Sequence, residues 1–83
     1  MLNDIPKLTP ELVTELNFLA RYDLDTMQEG IKVHKDAAAS VIAAVRRLHD
    51  KKLVTLADGG YLTALGREVA EALQATLTIL ACK

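Results

Sequence analysis

Leu12, Val13, Leu16, Leu19 and Ala20 recur at intervals of three and four, the spacing of one face of an α-helix. Thr9 stands ahead of them as a cap for free N–H groups. Pro10 suits the first helical position, where no donor is needed, and Glu11 suits the positive helix end. A first helix is predicted over about 10–21. Met27 and Ile31 are four apart, behind capping-box spacings at Asp25 and Gln28 or Thr26 and Glu29. They predict a short second helix over about 25–32, weakened by about 1 kcal/mol at Gly30. Ala38, Val41, Ile42, Val45 and Leu48 form the stripe of a third helix over about 36–50, with Asp36 as its cap. The pattern then shortens. Leu53 to Leu56 and Tyr61 to Thr63 are β-competent, and Asp58-Gly59-Gly60 offers the positive φ of a tight turn, so a hairpin is predicted over 53–63. Thr63 caps a fourth helix over about 64–81, with Leu65, Val69, Leu73, Leu77 and Leu80 down one side.

These elements make a mainly α domain with one small β-hairpin, in the order α-α-α-β-β-α, spanning residues 1–83 as a single unit. That order is the order of a winged helix-turn-helix. The stretch AVRRLHDKKLVTLADGGYLTALG resembles the corresponding segment of bacterial winged-helix regulators of the MarR type. The likeness rests on Val45 and Leu48, the basic pair Lys51 and Lys52, the Leu53-Val54 strand, Gly59 and Gly60, Tyr61 to Thr63, and Gly66. It covers residues 24–73. The chain also resembles a small proteobacterial family of similar length, through TPELVTELN and LDTMQEGIKVH. The resemblance implies a winged-helix fold. It implies a function less strongly, because winged helices serve both DNA and protein partners.

Composition narrows the classes. The chain is 51% hydrophobic and 25% charged, a globular balance. No apolar run approaches the roughly 18 residues that span a bilayer. MLNDIPKL has no basic start with an apolar block behind it, which argues against a signal peptide. A single cysteine, Cys82, cannot close an internal disulfide or build a zinc site by itself. A cytoplasmic protein is expected.

Net charge is −1, but it is unevenly spread. Residues 1–31 carry two cations against six carboxylates, residues 32–52 six against two, and residues 53–83 two against three. The cationic third falls on the helix that a winged helix presents to the major groove. Lys35, Ser40, Arg46, Arg47, Lys51 and Lys52 are therefore the candidate DNA-binding residues, and double-stranded DNA the candidate partner. The exposed side of that helix also carries Asp36, Ala39 and Ala43, and the wing tip offers Asp58 and no cation. This is a weak reading head. A winged-helix interaction module that binds a protein instead of DNA is the alternative.

Catalysis is not expected. His34 and His49 stand at opposite ends of one helix, about 20 Å apart. They cannot share a metal or a substrate, and no nucleophile has a base beside it. No cofactor and no metal is implied. Val69, Leu73, Leu77 and Leu80 make a continuous stripe on a helix long for so small a domain. Its first part serves the core. Its far end is expected to form the seam of a homodimer.

Overall fold

The predicted caps hold the two flanking helices. A computed structural model describes residues 7–25 and 30–82. Helix α1 spans Pro10–Leu19, and the Leu12 N–H donates to Thr9 Oγ1 at 3.1 Å. Helix α3 spans Ala64–Ala81, and the Gly66 N–H donates to Thr63 Oγ1 at 3.0 Å. Between them come strand β1 (Ile31–Lys32), helix α2 (Ala39–Asp50), strand β2 (Val54–Leu56) and strand β3 (Gly59–Leu62). The protein is mainly helical, with a three-stranded antiparallel sheet in the order β1-β3-β2.

One predicted helix is a strand where it is described. Residues 25–32 are predicted as helical, yet Ile31–Lys32 is β1, paired with Gly60 and Gly59 of β3. Residues 26–29 of that prediction lie outside the described residues. The described order is α-β-α-β-β-α. Helical spacing of Met27 and Ile31 lost to local chemistry. Gly30 and the β-branched Ile31 and Val33 are weak helix formers. The open edge of β3 satisfies their backbone, and Ile31 and Val33 pack against the core. Gly59 makes that edge accessible. A Cβ there would stand 2.1 Å from the Ile31 carbonyl oxygen, and its φ is +119°. Gly59 and Gly60 both have positive φ, but they sit inside β3, and the connection itself is Ala57-Asp58. A register shift between Val54 and Leu56 accommodates them.

Helix α2 begins later than predicted. Asp36 is exposed in the preceding turn, closed by the Ala37 N–H on the His34 carbonyl at 3.0 Å. Ala38 occupies the cap position and offers no side-chain acceptor. The far end has a complete C-terminal cap. The Leu53 N–H reaches the Leu48 carbonyl at 2.9 Å, and the Lys52 N–H reaches that of His49 at 2.9 Å. This Schellman arrangement puts Lys52 in the left-handed region at φ 65°. Glycine occupies that region at no steric cost, whereas an L-residue loses about 1 kcal/mol. Lys52→Gly is expected to stabilise the domain by about 1 kcal/mol, read as a shifted urea midpoint at unchanged slope.

The core lies where the three helices meet the hairpin. Phe18, Leu19 and Tyr22 close on Val45, Leu48 and Val54, and Val69 and Leu73 of α3 pack against this cluster. Val13, predicted to face inward, is exposed, while Glu15 and Phe18 are buried. The Tyr22 ring meets Phe18 edge-on at 5.7 Å, and its hydroxyl donates to the Gly60 carbonyl at 2.8 Å. Burial pushes the Tyr22 phenol up to about 12, against a smaller opposing pull from Arg21. Gln74 ties α3 to the end of α1 through the Tyr22 carbonyl at 2.8 Å.

Candidate functional site

Helix α2 is the element on which the cationic residues converge, and its surroundings sort them into two groups. Its inner side buries Ala44, Val45 and Leu48. Its outer ridge is Ala39, Ala43, Arg46 and Asp50, all exposed. One flank of the ridge faces α1. The other faces β1 and the hairpin.

On the α1 flank, Glu15 is 4% exposed. Its carboxylate accepts from Arg47 Nε at 2.8 Å and from Lys51 Nζ at 2.5 Å. Arg47 also donates to the Glu11 carbonyl at 3.2 Å. Burial alone would raise the Glu15 carboxyl. The hydrogen bonds and charges of Lys51 and Arg47 outweigh it and hold the group below its ordinary value. Two of the six predicted DNA contacts are thus committed to joining α2 to α1. Helical spacing alone hides this, because Glu15 is an ordinary polar position in the α1 pattern. Only the packing of α2 across α1 brings its partners 32 and 36 residues later in the chain to it.

The opposite flank opens as a cleft of about 680 Å³. Val33 and Ile42 contribute apolar lining over the buried Val45, with Leu56 and Ala57 from the hairpin. Lys32, Lys35 and Arg46 bring three cations to it, with His34 among them and Asp58 as the one carboxylate in the lining. None of the three forms an ion pair with a carboxylate of the described residues. Lys32 comes from β1, Lys35 from the turn after it and Arg46 from α2. The Val33 N–H, bound to the Asp58 carbonyl at 2.8 Å, fixes the β1 side of the cleft to the hairpin.

The other predicted contacts are scattered. Ser40 is exposed, but it borders a shallow groove with Pro10, Glu11, Thr14, Ala43 and Arg47, away from the cleft. Lys52 is exposed at the α2 cap. Lys35 and Arg46 are the two predicted contacts that the cleft unites, and Lys32, which belongs to the cationic third of the sequence but not to the six predicted contacts, joins them. Its signal was present in the local charge excess, but a helix over 25–32 gave no reason to place it beside Arg46.

The predicted dimer stripe divides. Val69 and Leu73 pack on the core. Leu77 and Leu80 are exposed, as is Ile79 between them. Leu65, on the same side of the helix as Val69 and Leu73, is 50% exposed. No helix of the described residues is long and apolar enough to cross a membrane.

A family profile matches residues 6–81 of the chain, that of a family of unknown function, DUF5669. No curated protein and no solved structure matches the chain.

Proposed function

We propose that this chain, which belongs to the DUF5669 family, is a small winged-helix protein of the cytoplasm that binds double-stranded DNA through its phosphate backbone. The observation that carries this reading is the cleft, which Lys32 and Lys35 from β1 and the turn after it line together with Arg46 of α2. Three converging cations match a polyanion better than three scattered ones. The topology supports the winged-helix element. The β2-β3 hairpin directly follows α2 and pairs through β3 with β1, which precedes α2, and α2 leaves its outer ridge open to a groove. Backbone binding is favoured over base reading by the composition of that ridge. Ala39 and Ala43 offer at most a methyl contact, Arg46 is the one strong donor, and Asp50 opposes it. The hairpin tip adds Asp58 and no cation. A role in transcription regulation would need a second copy to supply contacts at a second half-site.

The exposed Leu77, Ile79 and Leu80 favour a second reading, a winged-helix module that pairs with itself or with a protein partner through the end of α3.

Fluorescence anisotropy with a labelled random duplex tests the first reading. Three phosphate contacts give a log–log salt slope near −2.7, so affinity falls about fortyfold between 50 and 200 mM salt. Lys35→Gln and Arg46→Gln should each flatten the slope by about 0.9, while Lys7→Gln leaves it alone. Absence of binding at the lower salt rejects the DNA reading. A concentration-dependent oligomer in the same samples would then support the module.

A further inference from the structure

The cleft holds more than a phosphate backbone uses. Backbone phosphates call for exposed cations on a convex or grooved surface, and they gain nothing from apolar walls. Here Val33, Ile42 and Leu56 line the same space as Lys32, Lys35 and Arg46. Val33 and Ile42 are only partly covered by the fold, and Leu56 is 55% exposed. Its volume of about 680 Å³ falls within the roughly 300–1,000 Å³ of small-molecule sites. Apolar walls with a few convergent polar groups are the usual make-up of such sites.

We infer that the cleft is a binding site for a small organic phosphate, a monoester with an aromatic or aliphatic body. The body lies on Val33, Ile42 and Leu56. The phosphate meets Lys32, Lys35 and Arg46 at the rim. Charge complementarity selects a phosphate over a carboxylate. A phosphate monoester carries close to two negative charges at neutral pH and three acceptor oxygens, against three cations in the lining. Arg46 contributes a planar donor fork suited to two of those oxygens, and the lysines contribute point charges. Asp58, on the hairpin side of the cleft, repels the anion. Asp58 adjoins β1, where Gly59 pairs with Lys32, so the phosphate sits toward Arg46 and Lys35, with the body over Val33, Ile42 and Leu56. This site uses the same three cations as the DNA reading but does not rest on it, since it needs the apolar walls and the DNA reading does not.

The test uses the full chain, labelled with nitrogen-15, without nucleic acid. 1-Naphthyl phosphate is titrated at near-physiological salt, beside inorganic phosphate and 1-naphthol. The ester should shift amides of residues 32–35, 42–46 and 56–58 with submillimolar affinity. Inorganic phosphate, lacking the body, and 1-naphthol, lacking the charge, should each bind about tenfold more weakly. Arg46→Gln, an exposed change that leaves the fold intact, should weaken the ester about tenfold and leave 1-naphthol unchanged. Equal binding of inorganic phosphate overturns the proposal and leaves only a charged surface. So does a response centred on Leu77 to Leu80, or no response at millimolar ester. Each of these outcomes is readable whatever the duplex titration gives.

Discussion

Gly66→Ala lowers stability by about 2–3 kcal/mol, against the direction that helix propensity gives. An alanine in place of a helical glycine ordinarily gains up to about 1 kcal/mol. Here the first turn of α3 rests on the chain entering β2. A Cβ at position 66 would stand 1.9 Å from the Leu53 carbonyl oxygen and 2.8 Å from its carbon. That carbonyl cannot turn aside, because it accepts the Thr63 N–H at 3.1 Å. Nor can its residue slide along the chain, because the Leu53 N–H closes the cap of α2. Either the helix start moves off the hairpin or the α2 cap opens. Overpacking of this kind costs about 1–3 kcal/mol, and this contact is with backbone, which yields less than a side chain. In a domain of this size the loss lowers Tm by roughly 10–20 °C. Thermal unfolding followed by circular dichroism decides it, and an unchanged or higher Tm would mean that α3 does not seat on Leu53.

Replacing both Arg47 and Lys51 by Met costs about 3–5 kcal/mol at neutral pH, because it strands the Glu15 carboxylate in a buried position without a counter-charge. That is a large share of the stability of an ordinary domain of this length. Glu15→Gln alone is milder, about 1–3 kcal/mol, since Arg47 and Lys51 remain 35% and 47% exposed and stay solvated. Added to the double variant, Glu15→Gln should recover more than half of the loss. The pH dependence separates the cases. In the parent the Glu15 carboxyl sits below its ordinary value of 4.5, so its contribution is complete above that pH. It fades as pH falls through the lower folded value. In the double variant burial acts unopposed and raises the group. Protonation then relieves the strain, and the gap between parent and variant narrows on acidification. Urea unfolding at pH 7 and pH 4 measures both. A gap of the same size at the two pH values would show that Glu15 is not the group left stranded.

These two sites have different standing in the sequence. Gly66 is visible there as part of a Thr-x-x-Gly start to a helix, and Thr63 caps as its position predicts. That the glycine is obligatory follows only from the Leu53 carbonyl, thirteen residues earlier. Glu15 carries no signal at all along α1. Its burial exists because α2 crosses α1 there, and its charge is tolerable because Arg47 and Lys51, four residues apart, face it together from the last turn of α2 and its C-cap.

Local chemistry determined much by itself. Helical spacing placed α1, α2 and α3 to within a few residues, and the caps Thr9 and Thr63 fixed the starts of α1 and α3. The β-competent runs and paired glycines placed the hairpin, and the charge imbalance marked residues 32–52. These are properties of short windows, where side-chain periodicity and backbone preference decide. Tertiary structure settled everything that depends on a partner far along the chain. It turned Ile31–Lys32 into a strand, because the edge of β3 offered hydrogen bonds that outweighed a weak helix. It withdrew Arg47 and Lys51 from the surface set by giving them a buried carboxylate. It joined Lys32 to Lys35 and Arg46 around an apolar cleft, by bringing β1, α2 and the hairpin to one place. A sequence pattern says which face of an element is apolar or charged. Which of those charges stay available is fixed only when the elements pack and the opposite charges find them.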